Sequence, residues 1–345
     1  MKSEQLDLLI VADSVEGGLG AAACSHARWF TAHGWSVAVA APGVDGVGLV
    51  PAEAIEVGVP GAAFDALAML RAAKDLRRVI SLRRPVIVHA HGTRSELLVL
   101  MAGRRPVVTM HGGGGRVAGQ GRASTFARRT ARYLAPLPAR RAYSAAPVGG
   151  RWHTQLLASP RLQSLNTQPV QAMASVPTFL WVGRMDHPKE PETFVRAVAV
   201  LARRQTVRGV LLGDGPLLAD LKEIAAAERI PVEFMGERAD LEVFLASAWA
   251  VCLFSGFEGI PFAVQEAMWA ARSTILTPLP SLRWFAAESA MYAANVEEAA
   301  QAMGDLSRRD VAEQRGLAAA ARVRQLISVD DPFTDLLREY EQLRP

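Results

Sequence analysis

The stretch of sequence that decides the fold, residues 249–268, reads WAVCLFSGFEGIPFAVQEAM. Its first six residues form a short apolar run of the kind that makes a buried strand. Glycines flank Glu258, and Pro261 fits the first turn of a helix, where a missing N–H costs nothing. We therefore expect a strand, a loop that carries Glu258, and a helix that carries Glu266 about two turns later.

These two carboxylates are able to face one pocket at the end of a parallel strand, which is where open α/β sheets bind ligands. Carboxylates only accept hydrogen bonds, and a helix N-terminus attracts anions. The pair therefore favours a ligand with several hydroxyls and a phosphate. The alternative is a solvated helix start with one acid near the positive end of the helix dipole. The spacing alone does not decide between the two.

The rest of the chain alternates predicted strands and helices in two series, a pattern typical of α/β proteins with parallel sheets. The first series is predicted to begin with a strand, a glycine-rich loop and a helix, at residues 6–12, 17–20 and 21–33. The second series is predicted to begin with a strand and a helix, at residues 178–182 and 191–203.

A polar segment, residues 159–175, separates the two series and is predicted to be an interdomain linker. We expect two Rossmann-like, doubly wound domains that face a central cleft. The first is predicted to span residues 1–165 and to be completed by a C-terminal helix at 331–345. The second is predicted to span residues 174–328.

Composition argues against several classes of protein. No uncharged apolar stretch reaches the roughly 18 residues of a membrane-spanning helix, and acids interrupt the N-terminus where a signal peptide needs an apolar core. Cys24 and Cys252 have no CxxC partner, so we expect two buried, reduced thiols. The chain has no zinc-type Cys/His cluster and no Asp-x-Asp pair, so we predict no metal site. A cytoplasmic protein is the expectation.

Charge is distributed unevenly along the chain. Residues 97–185 contain twelve arginines and no acid, although the net charge of the whole chain is only +4. A surface of this kind attracts phosphate groups, an anionic membrane or nucleic acid. The alternative is a genome that favours Arg codons, which explains Arg in place of Lys but not the absence of acids.

Two cations and a glycine turn follow predicted strands of the second domain. Arg184 and Lys189 bracket the end of its first strand, and a guanidinium fork with an ammonium point charge is suited to a diphosphate. The alternative is two solvent-exposed cations. Gly213-Asp214-Gly215 is predicted to be a tight turn in which Asp214 caps the next helix.

Three histidines end neighbouring strands of the first domain. His89 and His91 end one strand, and His111 ends the next. A single histidine is more often structural than functional, but three at adjacent strand ends favour a ligand contact. We expect His111 to make it, because Gly112–Gly115 leaves open space around it.

Gly17-Gly18-Leu19-Gly20 follows the first strand and lets backbone amides approach a phosphate. The same residues fit a loose dinucleotide fingerprint. That interpretation is disfavoured because residues 13–16 lengthen the turn, and because the second strand ends at Pro42 without the acid that binds a ribose.

Seven motifs, each weak alone, occur in a specific order: Gly17-Gly18-x-Gly20, His89-Ala90-His91-Gly92, Thr109-Met110-His111-Gly112, Val182-Gly183-Arg184, Lys189, Gly213-Asp214-Gly215 and Glu258-x7-Glu266. In this order they resemble the retaining family-4 glycosyltransferases. The resemblance covers nearly the whole chain and is strongest at residues 178–276. It implies the GT-B architecture, a nucleotide-sugar co-substrate and no metal or other cofactor. It also implies a hexosyl- or N-acetylhexosaminyl-type transferase.

The resemblance implies a catalytic set of Glu258, His111, Arg184 and Lys189. Arg184 and Lys189 would hold the donor diphosphate, Glu258 the sugar hydroxyls, and His111 would lie against the transferred sugar. The implied donor-binding residues are Gly17, Gly18, Arg184, Lys189, Glu258, Gly259, Phe262 and Glu266, with Glu266 on the ribose.

The sequence departs from the family pattern at four places. Glu190 follows Lys189 where Gly is usual, Pro261 removes an amide near the diphosphate, Ala21 replaces a frequent Arg, and a Pro-Asn-Gly turn is absent near residues 159–169.

Three functions follow from these features. The first is transfer of a sugar to an anionic acceptor, such as a lipid-linked phosphate or cell-envelope glycan at the inner membrane face. The second is a non-catalytic nucleotide-sugar binder with the same fold. The third, disfavoured one is an NAD-dependent enzyme.

Overall fold

The protein is described by a computed structural model that covers residues 5–15, 17–44, 53–59, 65–111, 139–144, 147, 152–166, 173–328 and 332–344. These residues form two compact units. Unit 1 contains the described residues up to 111, those in 139–160, and 332–344. Unit 2 contains residues 161–328 as far as they are described.

Unit 1 is built on a seven-stranded sheet of order β3-β2-β1-β4-β5-β6-β7, in which every pair of neighbours is parallel. Strands β1, β2 and β4 are buried along their whole length, as strands covered on both faces must be. The strands are β1 (Leu8–Ala12), β2 (Val37–Ala41), β3 (Glu53–Glu56), β4 (Ile87–His91), β5 (Val107–Met110), β6 (Arg141–Ser144) and β7 (His153–Thr154). The helices that precede β6 among the described residues are α1 (Gly17–Ala32), α2 (Ala66–Arg83) and α3 (Thr93–Met101).

Unit 2 is built on a six-stranded parallel sheet of order β10-β9-β8-β11-β12-β13. Its strands are β8 (Thr178–Val182), β9 (Arg208–Leu212), β10 (Val232–Phe234), β11 (Ala250–Leu253), β12 (Ser273–Leu276) and β13 (Met291–Tyr292). Its helices are α4 (Leu162–Asn166), α5 (Pro191–Ala202), α6 (Leu218–Ala227), α7 (Leu241–Ser247), α8 (Phe262–Trp269), α9 (Pro280–Ala286), α10 (Val296–Asp305) and α11 (Arg309–Leu326), with short 3-10 helices at His187–Lys189 and Ala287–Ser289. The last helix, α12 (Thr334–Leu343), belongs to unit 1.

Several predicted elements differ from the observed ones. The predicted loop at 17–20 is wrong, because α1 already begins at Gly17. Gly20 lies so close to Val15 that an added Cβ would come within 2.0 Å of the Val15 carbonyl carbon, so packing requires that glycine. The predicted linker contains the short helix α4. Strand β3 was not expected from the sequence because its exposed residues do not form an apolar run.

The two cysteines are free and buried, as expected. Burial raises the pKa of both thiols above the ordinary value. No helix among the described residues combines the length and apolar character needed to cross a bilayer.

Glu96 is a buried acid in the first turn of α3. Its Oε1 has no hydrogen-bond partner within the described part of the chain, and burial raises its pKa to about 7. The folded protein therefore keeps this proton over a pH range in which the unfolded chain has lost it. Between pH 4.5 and 7 the contribution of Glu96 to stability must fall as the pH rises.

We expect Glu96→Gln to be more stable than the parent protein by about 2–3 kcal/mol at pH 8, and equally stable at pH 4. Urea unfolding at both pH values measures the difference. The control is Glu297→Gln, an exposed acid in the first turn of α10, which should change stability by about 0.5 kcal/mol or less. An unchanged gap between Glu96→Gln and the parent across this pH range would contradict the expectation.

Candidate functional site

The candidate site lies at the point in unit 2 where the order of the sheet reverses. From β8 the chain continues to β9 and β10 on one side, and then crosses to β11, which pairs with β8 on the other. Doubly wound sheets bind ligands at the carboxyl ends of the strands at such a point. The loops that follow β8 and β11 carry Arg184, Lys189 and Glu258.

The structure brings Lys189 and Glu258 into direct contact. Lys189 ends the 3-10 helix after β8, and its Nζ donates to Oε1 of Glu258. Ser255, two residues after β11, donates its hydroxyl to the same oxygen at 2.8 Å. Only 8% of Glu258 is exposed. One carboxylate oxygen is thus held by two donors, and Oε2 has no hydrogen bond from the described residues.

The loop that carries Glu258 is fixed from three sides. The Ser255 amide donates to Thr277 Oγ1 at 2.9 Å, and the Gly256 amide donates to the Pro188 carbonyl at 3.0 Å. Ser281 of α9 donates its hydroxyl to the Glu258 carbonyl at 2.9 Å. A carboxylate held in this way needs little reorganisation when it accepts a hydrogen bond from a ligand.

Helix α8 begins at Phe262, directly after this loop. The prediction that Pro261 fills the first turn is wrong by one position: Pro261 is the N-cap residue, with φ −64° and ψ 139°. Its carbonyl accepts from the amides of Val264 and Gln265 at 3.2 Å. The amides of Phe262 and Ala263 lie in the first turn, where a helix has no acceptor of its own for them. Such a helix start favours an anion.

Glu266 lies on α8 and is almost fully buried. One oxygen is 3.9 Å from Nη1 of Arg161, which directly precedes α4. The second acid of the motif thus faces a cation within unit 2.

Arg184 is the most exposed of the predicted charged residues, with 72% of its side chain accessible. Its Nε lies 3.3 Å from Oδ2 of Asp186. The sequence did not point to Asp186, which holds this guanidinium near the end of β8. An exposed guanidinium with one carboxylate partner still has donors to offer to an anion.

Two glycines after β9 pack against the backbone after β8. A Cβ on Gly213 would lie 1.9 Å from the Gly183 carbonyl oxygen, and one on Gly215 would lie 2.4 Å from the Met185 carbonyl oxygen. The predicted helix cap at Asp214 is wrong. Helix α6 begins at Leu218 without a side-chain cap, and Asp214 accepts from the amide of the next residue, Gly215, at 2.6 Å. The two glycines therefore allow the loop after β9 to pack closely against the loop after β8 at the site.

Glu190 is the N-cap residue of α5 and has left-handed backbone angles, φ 43° and ψ 49°. Left-handed conformations cost a side-chain residue about 1–2 kcal/mol. This cost is a physical reason why the family pattern has Gly where this chain has Glu190. Partial burial also raises the pKa of the Glu190 carboxyl.

We expect Glu190→Gly to raise the free energy of unfolding by about 0.5–1 kcal/mol, since relief of the left-handed strain exceeds the added chain entropy. Glu190→Gln is the matched control, because it removes the charge and keeps the strained backbone. A Gly variant no more stable than the Gln variant in urea unfolding would rule out backbone strain as the cause.

In unit 1, Gly17 and Gly18 form the first turn of α1, and no atom lies within 4 Å of a Cβ built on either. The space beside them is open to a ligand. Asp13, which the sequence did not single out, is the first residue after β1 and accepts from the Ser95 amide at 2.7 Å and from the Ser95 hydroxyl. Asp13 thus caps the first turn of α3.

His111 follows β5 and is partly buried, with Nε2 at 2.9 Å from Nδ1 of His91. Burial lowers the pKa of His111 to about 4, so the ring is neutral at pH 7. His89 and His91 are fully buried. The predicted open space at Gly112–Gly115 lies outside the described residues.

Within the described part of the chain, one group of residues has the composition and spacing for a metal ion. It consists of His26, His89 and His91, whose ring nitrogens lie within 4.8 Å of one another. The sequence did not point to it, because His26 comes from helix α1, far from the other two in the chain.

Half of the arginine block is described. Arg104 and Arg140 donate to backbone carbonyls, and Arg141 pairs with Glu339 at 3.1 Å. These arginines have partners inside unit 1. Arg116, Arg122, Arg128, Arg129 and Arg132 lie outside the described residues.

Three hydroxyl side chains that position Glu258 were not found from the sequence: Ser255, Thr277 and Ser281. Ser255 and Thr277 each lie just beyond a strand, at β11 and β12. A hydroxyl just after a buried parallel strand is the signal that could have indicated the first two. Ser281 has no such local signal.

The two parallel sheets of Rossmann type in this chain match the GT-B class of α/β proteins. The family described as "Glycosyl transferases group 1" matches residues 176–309, and "Glycosyltransferase Family 4" matches residues 16–146. With the fold, these matches place the chain among the GT-B glycosyltransferases.

Solved structures of the same fold include HepE of Anabaena in complex with UDP and glucose, with a TM-score of 0.76, 13% identity, and coverage of 98% of this chain and 100% of HepE. Sucrose-phosphate synthase of Thermosynechococcus elongatus aligns with a TM-score of 0.77 and 16% identity, over 98% of this chain and 99% of the synthase. At these identities the similarity shows the fold.

A curated relative is an α-1,4-N-acetyl-D-galactosaminyltransferase of Campylobacter jejuni, named for its GalNAc-GalNAc-diNAcBac-PP-undecaprenol substrate. It is 32% identical over 92 residues, which cover 26% of this chain and 26% of the relative. The match thus spans about a quarter of each protein.

Proposed function

We propose that the protein transfers a sugar from a nucleotide-diphosphate sugar to an acceptor, with retention at the anomeric carbon. One observation carries the proposal: Lys189 and Glu258 meet at the switch point of a parallel sheet, directly before the N-terminus of α8. A cation and free helix amides suit a diphosphate, and a fixed carboxylate suits sugar hydroxyls.

In this proposal Lys189, Arg184 and the first amides of α8 bind the diphosphate. They stabilise the charge that develops on it as the sugar leaves, so the reaction needs no divalent metal. Glu258 accepts hydrogen bonds from the sugar hydroxyls through its Oε2. Glu266 binds the ribose.

The remaining proposed roles belong to backbone groups and to unit 1. Gly259 and Phe262 offer amides at the start of α8, and Gly17 and Gly18 offer amides at the start of α1. His111 contacts the transferred sugar.

Donor binding and turnover are tested with UDP, GDP and ADP sugars by calorimetry, with an assay of transfer in the presence of EDTA. We expect Lys189→Ala to weaken donor binding about 10–100-fold and Arg184→Ala about 10-fold, from the usual strength of charged hydrogen bonds. Lys222→Ala, at an exposed lysine of α6, is the matched control. Equal donor affinity in Lys189→Ala and Lys222→Ala would refute the proposed site.

Donor binding without turnover on any acceptor would favour the non-catalytic binder. Loss of transfer in EDTA would refute metal independence.

For the acceptor we propose a lipid-linked or cell-envelope glycan at the cytoplasmic face of the membrane, with a hexose or N-acetylhexosamine transferred. The acid-free arginine block and the undecaprenol-linked substrate in the relative's name support this choice. Vesicle sedimentation tests it: binding should rise with anionic lipid and fall with salt. Binding that is insensitive to both would refute the membrane part of the proposal.

A further inference from the structure

Six side chains of unit 1 form one continuous line of hydrogen bonds, which we call the histidine chain. In order, its members are His111, His91, His26, Tyr340, His89 and Thr109. They come from four places in the sequence, and all but His111 are buried. The chain therefore links a candidate ligand contact to the interior of the unit.

The outer part of the histidine chain joins three imidazole rings. His111 Nε2 lies 2.9 Å from His91 Nδ1, and His91 Nε2 lies 3.0 Å from His26 Nδ1. His26 Nε2 lies 3.2 Å from the hydroxyl of Tyr340 on α12. Each of the two buried rings thus uses both of its nitrogens.

The inner part of the histidine chain continues from the same hydroxyl. The Tyr340 hydroxyl contacts His89 Nδ1, and His89 Nε2 lies 2.8 Å from the Thr109 hydroxyl. Thr109 lies on β5, two residues before His111, so the chain of contacts begins and ends on one segment. Helix α12 contributes one member of the histidine chain, Tyr340, whose hydroxyl joins His26 to His89.

All four rings are neutral at physiological pH. Burial, reinforced by repulsion from neighbouring histidines, lowers the pKa of His26 to about 3 and those of His89 and His91 well below the ordinary value. A neutral imidazole has one N–H donor and one acceptor nitrogen. A ring that is bonded at both nitrogens must therefore donate on one side and accept on the other. The buried Tyr340 hydroxyl has one proton, which finds an acceptor only if the hydroxyl donates to one ring and accepts from the other. With all of these groups satisfied, the bonds of the histidine chain run in one direction.

Thr109 decides which direction is favoured. Its side chain is buried, and within the described residues its hydroxyl has one polar partner, His89 Nε2. If His89 donated to this oxygen, the hydroxyl proton of Thr109 would be buried without an acceptor, which is unfavourable. The satisfied arrangement has Thr109 donate to His89, and each member then donates to the next, as far as His111.

We propose that Thr109 and Tyr340 are positioning residues which, through the histidine chain, hold His111 as the tautomer with its proton on Nδ1. Nε2 of His111 accepts from His91, and the Nδ1–H is left to donate to a ligand. His111 would then offer a hydrogen-bond donor to an oxygen of the sugar and would not act as a general base. The use of this donor in catalysis rests on the proposed function, whereas the tautomer does not.

Metal binding is the competing use of these residues. His26 and His91 share one contact, but both nitrogens of His89 face hydroxyls, so hydrogen bonding already occupies the three rings. A metal ion would take the same lone pairs and break the chain. Elemental analysis of protein purified with and without added zinc therefore tests the proposal: one tightly held metal per chain, resistant to EDTA, would overturn it.

The direct test is side-chain ¹⁵N NMR of the full protein without ligand, with labelled histidine, because imidazole nitrogen shifts report the tautomer. We expect a single Nδ1–H form for His111 in the parent protein. Thr109→Val should give a mixture of both tautomers at His111, because neither direction of the chain is then satisfied. Thr109→Ser, which keeps the hydroxyl, should restore the single form.

Tyr340→Phe separates the two halves of the chain. We expect His111 to lose its tautomer preference, while His89, still bonded to Thr109, keeps its own. Tyr292→Phe is the control, since it removes a partly buried tyrosine hydroxyl of unit 2 that donates to the Ala287 carbonyl at 2.8 Å. An Nε2–H form of His111 in the parent protein, or the same tautomer in all folded variants, would overturn the proposal. Either result leaves donor binding by unit 2 intact, so failure of the inference is distinguishable from failure of the proposed function.

Discussion

Replacing Glu258 with Gln is expected to lower the rate of sugar transfer by about 10²–10³-fold, the usual effect of losing one fixed charged group at a reacting centre. The amide keeps the shape of the side chain but loses the negative charge and one acceptor position. The remaining fixed geometry, with Ser255, Ser281 and Lys189 around the loop, stays in place. Steady-state rates with saturating donor measure the effect on kcat.

The fold should survive this substitution. Lys189 loses a charged partner, but 28% of its side chain reaches solvent, so the cost lies between those of exposed and buried ion pairs, about 1–2 kcal/mol. Glu233→Gln is the matched control, because it removes an exposed acid of the same unit that pairs with Arg208 at 2.7 Å. A Glu258→Gln enzyme as active as Glu233→Gln would remove the central residue of the proposed site.

The largest effect on stability is expected for Gly213→Ala, at about 3–5 kcal/mol of destabilisation. Gly213 has φ +126°, a backbone conformation that side-chain residues rarely adopt, and the new Cβ would lie 1.9 Å from the Gly183 carbonyl oxygen. The loop after β9 would have to move away from the loop after β8 that carries Arg184. Urea unfolding gives the stability change.

Gly236→Ala separates the two causes of this loss. Gly236 also has a positive φ, +68°, but no atom lies within 4 Å of its Cβ position. It should cost only about 1 kcal/mol, the left-handed strain less the entropy gained in the unfolded chain. If Gly213→Ala costs no more than Gly236→Ala, the two loops are not packed as tightly as the structure shows.

Much of the secondary structure is predictable because its signals are local. The strand at residues 178–182 was predicted with its observed bounds, and the helix predicted at 191–203 differs from the observed Pro191–Ala202 by one residue. The loop predicted at 17–20 was wrong because glycines weaken helices in isolation. Here Gly20 is helical for a reason that lies outside its own segment: its missing Cβ makes room for Val15.

The candidate site was predictable in its residue types but not in its contacts. Arg184, Lys189 and Glu258 follow strands, and that position alone marks them as candidates. The pairing of Lys189 with Glu258 across 69 residues depends on β8 and β11 being neighbours. Strand order is a property of the whole sheet, and no local pattern encodes it.

The histidines of unit 1 were likewise predictable in part as residue types at strand ends, but not in their contacts. Histidines at two neighbouring strand ends were visible in the sequence, because β4 and β5 are apolar runs that end in them. His26 and Tyr340 join them from positions 65 and 251 residues away from their partners. Only packing of α1 and α12 on the sheet creates the continuous hydrogen bonding.

The sequence by itself determined the two series of parallel strands and the chemical groups at their ends. The signals for both are apolar runs and the glycines and prolines that end them, and these signals act over a few residues. The tertiary structure alone decided which of those groups meet. It joined Lys189 to Glu258, turned Glu266 toward Arg161, and placed Asp186 beside Arg184. The physical reason is that side-chain contacts at a switch point follow from strand order and from close backbone packing, and both are set by distant parts of the chain.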